Sequence, residues 1–322
     1  MLNIGGTKIK THILLAPLAG VSNLPFRLIA RKHGCAFAFT EMISARALYY
    51  KNKNTLKMLE SNKDDKPLGV QILGDEPKVL KKAVETLNRF KFDILDFNAA
   101  CPAGKVSSRN KGAALLKNPD KLLAQISTVT EISKVPVTLK IRSGWDEENI
   151  NAVKIAEIAE KAGIKALFLH GRTKIQGYSG NVNYKIIKEV KQSVKIPVIA
   201  SGDNFNPVLI KKMFDETQCN AVTVARGALG NPWIFEAAEE FIKTGILPEK
   251  PTINKITAVM KEHLLLLTDF YGSLKSVPEF RKFFTWYTKG IKNIKGLREK
   301  AFKAKTLQEM LGVIEELKLT AD

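Results

Sequence analysis

The segment 96-DFNAACPAGKV-106 places a cysteine and a lysine just beyond an apolar run. A free thiol is mostly protonated at neutral pH, so Cys101 can donate a proton to a carbon atom as a general acid. The alternative is a nucleophile of the kind found in cysteine hydrolases, and Lys105 would favour the thiolate that this role needs. His170 is the only histidine at a comparable position, and no separate orienting carboxylate is evident. From these residues alone, a proton donor, a nucleophile and a small buried cysteine all remain open for Cys101.

Polar residues also follow the other apolar runs of the first 230 residues. Lys140 lies between leucine and isoleucine in VTLKIRSG, and a buried lysine needs an anionic partner. The small, glycine-rich segments ASGDN and ARGALGNPW allow backbone amides to approach a phosphate closely. FMN would suit such a set, because Gln71 can pair with the flavin pyrimidine and Lys140 can stabilise the reduced ring. A phosphosugar would use the same phosphate site. The residues at the run ends are Pro17, Glu41, Gln71, Asn98, Cys101, Lys140, Arg142, His170, Arg172, Ser201, Asp203 and Arg226.

Eight apolar runs carry these residues, and their starts are 24 to 43 residues apart, about the length of one βα unit. The runs are continuously apolar rather than alternating, which is typical of parallel strands covered on both faces. Eight such units predict an α/β fold, a (β/α)8 TIM barrel with its active site at the carboxyl ends of the strands. A doubly wound sheet is the alternative, but no GxGxxG follows any run. The runs are ILLAPLAG (from 13), FAFTE (37), LGVQILG (68), ILDFNAAC (94), VTLKIRSG (137), ALFLHGR (166), PVIASGD (197) and AVTVARGA (221).

From about Trp233 onward the sequence has helical spacing, and 246-ILPEKPTI reads as a linker. We expect a catalytic barrel over residues 1–240 and a small C-terminal helical bundle over residues 241–322. Between positions 275 and 305, ten Lys or Arg residues accompany only two Glu residues. Such a surface suits RNA phosphates, with Arg281 and Lys282 as the preferred contacts. The neighbouring 283-FFTWY-287 suits either base stacking or a helix core.

The whole chain is basic, with 51 Lys and Arg against 32 Asp and Glu and a net charge of +19. This excess favours a polyanionic partner such as RNA or DNA, although a generally basic proteome would give the same sign. No apolar run reaches the roughly 18 residues of a membrane span, and the N-terminus does not read as a signal peptide. Cys35, Cys101 and Cys219 are far apart and lack metal-ligand spacing. We expect a cytoplasmic protein without a metal or a membrane anchor.

In combination and order, seven motifs resemble those of the tRNA-dihydrouridine synthases, and the bacterial B-type branch is the closest. The similarity runs through nearly the whole chain. The motifs are LAPLAGVSNLPFR (from 15), EMISARALYYKN (41), GVQILG (69), NAACPAGKV (98), TLKIRSGWD (138), HGRTKIQGYSG (170) and ARGALGNPW (225).

The resemblance implies an FMN enzyme that reduces the C5–C6 bond of a uridine in tRNA, with NADPH as reductant. We expect the reductant to bind transiently and the protein to be a monomer. On that model, flavin N5 sends a hydride to uracil C6 and Cys101 protonates C5 of a base extruded from the RNA. The implied flavin contacts are Pro17, Leu18, Ala19, Gln71, Lys140, His170, Ser201, Gly202, Asp203, Ala225 and Arg226. The expected substrate contacts are Asn98, Lys105, Arg172, Arg281 and Lys282.

Four positions depart from the family pattern. Ala100 and Ala225 stand where glycines are usual, Ser201 replaces an asparagine, and Phe283 replaces a histidine of the helical domain. Two other functions fit parts of the sequence. One is an FMN-dependent barrel oxidoreductase acting on a small molecule, similar to dihydroorotate dehydrogenase, and the other is a non-catalytic RNA-binding protein.

Overall fold

The chain opens with an antiparallel hairpin, β1 (Leu2–Ile4) and β2 (Thr7–Ile9), in a computed structural model that describes residues 1–320. Its turn residues Gly5 and Gly6 both have positive φ, +57° and +98°, which glycine adopts without steric cost. The apolar side chains of the hairpin join a buried cluster that includes Phe168. The hairpin therefore covers one end of the barrel that follows.

Eight parallel strands form the centre of the molecule. They are β3 (Ile13–Leu15), β4 (Ala38–Ser44), β5 (Leu68–Leu73), β6 (Ile94–Ala99), β7 (Val137–Arg142), β8 (Leu167–His170), β9 (Val198–Ser201) and β10 (Ala221–Val224). Neighbours in the chain pair with one another, and β10 pairs with β3 to close the ring. Each strand begins within one of the eight predicted apolar runs, and only β4 extends beyond its run, so the TIM-barrel prediction is confirmed.

Helices cover the outside of the barrel. They are α1 (Leu24–Lys32), α2 (Ala45–Tyr49), α3 (Lys53–Lys57), α4 (Pro77–Leu87), α5 (Gly104–Ser107), α6 (Pro119–Ile132), α7 (Ala152–Lys161), α8 (Tyr184–Ser193), α9 (Pro207–Thr217) and α10 (Ile234–Thr244), with 3₁₀ turns at Gly112–Lys117 and Arg226–Ala228. Five of these helices begin after an asparagine whose side chain accepts the backbone N–H three residues later: Asn23, Asn52, Asn118, Asn183 and Asn206. Each cap satisfies a donor that the helix itself leaves unpaired.

Four further helices form the C-terminal part: α11 (Ile253–Tyr271), α12 (Ser273–Tyr287), α13 (Lys295–Lys303) and α14 (Leu307–Glu316), followed by a 3₁₀ turn at Leu317–Thr320. They pack on α1 of the barrel. The Phe26 ring lies 5.9 Å from the Phe283 ring and 6.1 Å from the His263 ring, all within one buried cluster. The family's usual histidine position, occupied here by Phe283, therefore faces the core between the two parts.

The proposed boundary after residue 240 falls inside α10. This helix packs on α9 and contacts β3, so it is the eighth barrel helix and belongs with its strand. A boundary between α10 and α11, over residues 245–252, keeps the barrel whole. Within residues 1–320, no helix is both long and apolar enough to cross a membrane.

Candidate functional site

The register of β5, β6 and β7 brings polar side chains of three strands into one row. Gln71 lies opposite Asp96, and Asp96 lies opposite Thr138. Gln71 Nε2 donates to Asp96 Oδ2 at 2.7 Å, and Thr138 Oγ1 donates to Asp96 Oδ1 at 2.6 Å. Asn98 Nδ2 in turn donates to Gln71 Oε1 at 2.8 Å. Gln71, expected to bind the flavin ring, is thus buried with both of its amide atoms engaged.

Lys140 lies opposite Asn98 in the next row, and Asp96 is its charged neighbour. Burial lowers the pKa of Lys140 to about 8, while the charge of Asp96 acts in the opposite direction. Burial raises the pKa of Asp96 to about 6, against the hydrogen bonds from Thr138 and Gln71. Asp96 therefore supplies the negative charge that buried Lys140 needs from within the protein. Sequence reasoning missed Asp96, although a carboxylate inside the apolar run ILDFNA is a signal that could have found it.

Cys101 lies just beyond β6 on a segment that is fixed from both sides. Asn98 Oδ1 accepts the backbone N–H groups of Ala100 at 3.0 Å and Cys101 at 2.9 Å. Ala113 N donates to Cys101 O at 3.1 Å. Gly112 has φ +57°, and a Cβ at this position would come within 3.0 Å of Cys101 Cβ. Glycine at position 112 therefore permits the close packing that fixes the Cys101 backbone. Cys101 itself is partly exposed.

A second support reaches the same segment from β7. The Arg142 guanidinium is buried and donates from Nε to Ala100 O at 2.8 Å. Its Nη1 donates to Thr173 O at 2.8 Å and to Gly177 O at 2.7 Å. Arg142 therefore links the strand end that carries Cys101 to the loop after β8.

A cavity of about 310 Å³ opens where β8, β9 and β10 end. Nine of the eleven expected cofactor contacts line it: Pro17, Leu18, Lys140, His170, Ser201, Gly202, Asp203, Ala225 and Arg226. Ala19 is exposed and Gln71 is buried, and neither lines the cavity. Six further lining residues were not predicted: Ala16, Tyr178, Asn204, Phe205, Thr223 and Gly227. Asn204 and Phe205 directly follow the SGD segment, and Tyr178 lies in QGYSG, so proximity to these motifs was the available signal.

Four buried polar atoms at this cavity have no hydrogen-bond partner among the described residues. They are His170 Nε2, Ser201 Oγ, Asn204 Oδ1 and Thr223 Oγ1. Leaving a buried polar group unpaired costs about 1–3 kcal/mol. Four such atoms around one cavity indicate a ligand that supplies the missing partners.

His170 stands in a strongly positive setting. Burial, with the nearby charges of Arg142 and Lys140, holds the pKa of His170 well below its ordinary value. The imidazole is therefore neutral at pH 7 and presents one donor and one acceptor nitrogen. Its ring lies 6.2 Å from the ring of Tyr178.

Asp203 lies between two arginines at the edge of the cavity. Arg172 donates from Nη1 to Asp203 Oδ1 at 3.0 Å and from Nη2 to Asp203 Oδ2 at 2.5 Å. Arg226 Nη2 lies 3.3 Å from Asp203 Oδ1, and the Arg226 guanidinium lies 5.0 Å from the Tyr178 ring and 4.8 Å from the Phe205 ring. With its side chain 43% exposed, Arg226 remains available to an anion.

Arg172 is placed differently from the expected nucleotide contact. It is 2% exposed, and besides Asp203 it donates to the carbonyl groups of Ser179 and Gly180. All of these partners are protein atoms. In this structure Arg172 fixes the loop after β8 and orients Asp203.

The expected RNA contacts fall into two groups. Lys105 is exposed on α5, near Cys101 in the chain. Arg281 is partly buried and donates from Nη2 to Ala304 O at 2.8 Å, while Lys282 Nζ contacts Gly20 O at 2.7 Å and Glu279 Oε2 at 2.6 Å. The barrel face and the helical domain thus meet at Lys282.

The aromatic residues of α12 form core rather than a stacking surface. Phe283 and Phe284 are fully buried, and Tyr287 is 5% exposed. Of the two interpretations that the sequence left open for these three rings, helix packing is the one observed.

A family model for dihydrouridine synthases, described as "Dihydrouridine synthase (Dus)", matches residues 14–321. The chain belongs to the dihydrouridine synthase family. A probable tRNA-dihydrouridine synthase of Rickettsia bellii is 36% identical over 294 residues, covering 91% of this chain and 90% of the relative. A tRNA-dihydrouridine synthase B of Pasteurella multocida is 37% identical over 290 residues, covering 90% and 87%. Similarity to the B-type relatives is as the motifs predicted.

Two solved structures share the fold at much lower identity. Histamine dehydrogenase from Rhizobium sp. 4-9 superposes with a TM-score of 0.60 at 12% identity, covering 82% of this chain and 50% of that one. Morphinone reductase in complex with tetrahydroNAD gives a TM-score of 0.54 at 13% identity, covering 79% and 92%. At this identity the likeness supports the barrel architecture alone.

Proposed function

We propose that this dihydrouridine synthase reduces specific uridines in tRNA to 5,6-dihydrouridine, with FMN as bound cofactor and NADPH as transient reductant. Family membership over nearly the whole chain supports the reaction. The proposal of a bound cofactor rests on the cavity with four unpaired polar atoms at the carboxyl ends of β8, β9 and β10. TIM barrels commonly bind phosphate at this end of their last strands.

The cavity residues fit the polar tail of FMN. Ser201, Thr223 and Asn204 would supply hydrogen bonds to the ribityl chain and the phosphate. Gly202, which has φ +130°, lets the backbone approach closely. The exposed guanidinium of Arg226 would face the phosphate charge.

The other side of the cavity fits the ring. Pro17 and Leu18 offer an apolar surface, while Lys140 and the neutral His170 offer polar contacts. When bound and reduced by NADPH, FMN supplies the hydride that adds to C6 of the uracil. The positive charge of Lys140 would stabilise the negative charge on the reduced ring.

Cys101 is the proposed proton donor to C5 of the uracil. The Asn98 side chain and the Ala113 amide hold its backbone, and Arg142 holds the preceding carbonyl. A general acid needs a fixed position relative to the carbon that it protonates. Asn98 thus acts as a positioning residue for Cys101, in addition to its proposed contact with the base.

The RNA would bind across the barrel mouth and the helical domain. Lys105 lies on the barrel side of this surface, and α12 and α13 carry exposed lysines on the other. We propose that the enzyme acts as a monomer in the cytoplasm, where NADPH and tRNA are both present.

The test is to incubate the protein and NADPH with tRNA from cells lacking dihydrouridine and to measure the product by mass spectrometry, with Cys101→Ala alongside. We expect product with the wild type and a severe loss, of 100-fold or more, in the variant. Undiminished product in Cys101→Ala would overturn Cys101 as the acid while leaving the reaction. No product with the wild type would overturn the reaction and favour a small-molecule oxidoreductase.

A further inference from the structure

A second cavity, of about 220 Å³, lies between the barrel and the helical domain. Water occupies about 30 Å³ per molecule in the liquid, so the space exceeds that of a single water several-fold. We call it the interdomain cavity. Its lining includes Asn23, Glu41 and Lys57 of the barrel and Phe270, Tyr271 and Lys275 of the helical domain.

Glu41 provides a buried charge at this cavity. The β4–β5 register shifts between Phe39 and Met42, so Glu41 lies in a bulge of the kind that re-aims side chains near active sites. The residue is 8% exposed, and burial raises the pKa of its carboxyl group. Oε2 accepts the Gly20 N–H, and the residue lines the interdomain cavity. A carboxylate has acceptor capacity for more than one donor, so Glu41 can also accept an N–H from a ligand in the cavity.

The opposite wall is aromatic and positively charged. Lys275 Nζ lies 4.8 Å from the centre of the Tyr271 ring. Lys57 Nζ lies 5.4 Å from the same ring and 4.8 Å from the Phe270 ring. Both ammonium groups lie over the rings. A planar ligand that stacks on Tyr271 would move a lysine off the ring face, and the released ammonium group would suit a phosphate beside it.

A nucleotide whose base carries an exocyclic amino group combines these properties. The amino group of adenine, cytosine or guanine donates to a carboxylate, as the amino group of cytosine does to Glu in base recognition. Uracil is disfavoured because a carbonyl lies on each side of its N3–H. The carboxylate of Glu41 therefore disfavours uracil, the base that the active site reduces.

The residues around Gly20 connect this cavity to the flavin site. Gly20 N donates to Glu41, and Gly20 O accepts from Lys282 Nζ at 2.7 Å. Pro17 and Leu18, two and three residues earlier, line the proposed flavin cavity. The segment 17–20 therefore links the two cavities.

We propose that the interdomain cavity binds a second, amino-bearing base of the tRNA and so sets which uridine reaches the flavin. The inference rests on the proposed function and adds to it a specificity subsite. Glu41 reads the amino group, Tyr271 stacks on the base, and Lys57 and Lys275 meet the neighbouring phosphates.

The test compares flavin-loaded wild type with Glu41→Gln and Tyr271→Leu. In the first variant the amide oxygen can still accept the Gly20 N–H, and in the second the aromatic wall is lost. The matched controls are Glu85→Gln and Phe90→Leu, which change a carboxylate and an exposed aromatic on the outside of the barrel. The readouts are tRNA Kd, KM and kcat, flavin content, and the rate of flavin bleaching by NADPH.

We expect each test variant to raise the Kd and KM for tRNA about 10-fold, the size of one lost base contact. The kcat, flavin content and bleaching rate stay within two-fold, and the controls match the wild type. Unchanged Kd and KM in both test variants overturn the proposal. Loss of flavin or kcat with unchanged Kd also overturns it, because it means that Glu41 only positions Gly20.

A second arm separates a tRNA base from a free nucleotide. Calorimetry measures AMP, CMP, GMP and UMP binding to the flavin-loaded wild type and to Glu41→Gln. Micromolar binding of an amino-bearing nucleotide that is lost in Glu41→Gln, together with unchanged tRNA affinity, overturns the tRNA assignment in favour of a free ligand. Because tRNA Kd needs no turnover, a wild type that makes no dihydrouridine would overturn the reaction and leave this comparison decisive.

Discussion

Thr223 shows how a single buried hydroxyl can report on the cofactor. Its Oγ1 is buried at the flavin cavity and has no partner among the described residues, although it lies on a strand whose other side chains are apolar. Replacing an unpaired buried hydroxyl by a methyl group of similar shape removes a desolvation cost. If FMN supplies the missing partner, the same change removes a contact in the bound form.

Thr223→Val should therefore stabilise the flavin-free protein and weaken its binding of FMN. We expect the flavin-free protein to gain about 1 kcal/mol in the free energy of unfolding and FMN binding to weaken about five-fold. Urea unfolding of the flavin-free protein and fluorescence titration with FMN measure the two effects. Weaker folding without flavin would show that Thr223 has a protein partner.

Lys140 makes flavin reduction depend on pH. Because burial lowers its pKa to about 8, the amine is protonated below that pH and neutral above it. A cation beside the ring favours the reduced, anionic flavin, so reduction by NADPH should slow as pH rises through about 8. Stopped-flow bleaching from pH 6 to pH 9.5 measures the transition. Lys140→Met should reduce flavin slowly at every pH, and a persisting transition in this variant would place the titrating group elsewhere.

The lowered pKa of Lys140 also makes the free energy of unfolding depend on pH. The pKa of Lys140 falls from 10.5 to about 8 on folding, so between these values the unfolded chain binds more protons than the folded one. Its contribution to the free energy of unfolding therefore rises with pH across this window. Lys140→Met should lack this rise when urea unfolding is compared at pH 8 and pH 10.

At the scale of elements, Arg142 joins the end of β6 to the loop after β8 through three carbonyl groups. A lysine has a single ammonium group and cannot serve three carbonyls in this geometry. We expect Arg142→Lys to lower the free energy of unfolding by about 3 kcal/mol, since hydrogen bonds to charged groups contribute about 1.5–3 kcal/mol each. Turnover should fall as well, because the carbonyl before Cys101 loses its support.

Urea unfolding and dihydrouridine formation measure the two consequences, with Arg89→Lys as a matched change at an exposed arginine. A loss below about 0.5 kcal/mol, similar to that of the control, would mean that the loop after β8 is held by other contacts.

The strands were predictable because each is a short, continuously apolar run between helical segments. The hairpin β1–β2 was missed, although the Gly5–Gly6 pair between Ile4 and Thr7 is a hairpin signal. Each of its strands has only three residues, too few for an alternating hydrophobic pattern to be recognised. The cavity residues were predictable where they follow strand ends in the chain. The bond between Gln71 and Asp96 was not, because it depends on the register of two strands 25 residues apart. Burial of Arg172 depends in the same way on loop geometry that no local pattern encodes.

At the scale of the whole molecule, some of the basic residues behind the +19 net charge bond to other groups of the protein. Arg298 donates to Thr288 and Thr285, Lys300 pairs with Glu316, and Arg281 bonds Ala304. Within residues 1–320, the exposed lysines of the helical domain that form no ion pair include Lys289, Lys292, Lys295 and Lys303. We propose that these lysines, on α13 and the segment before it, form part of the RNA surface, together with Lys275 of α12 and Lys105 of the barrel.

This placement predicts the salt dependence of tRNA binding. Each phosphate contact that a lysine makes releases counterions and adds about 0.7–0.9 to the slope of log K against log salt concentration. Changing Lys292, Lys295 and Lys303 to Gln together should lower that slope by about two and weaken binding at low salt. Filter binding of tRNA between 50 mM and 300 mM salt gives the slope.

The matched control changes Lys161, Lys165 and Lys188, which are exposed on the barrel, to Gln. Since both triple variants lose the same net charge, equal slopes would show that only the long-range field of the protein attracts tRNA. A lower slope confined to the first variant would locate the phosphate contacts on the helical domain.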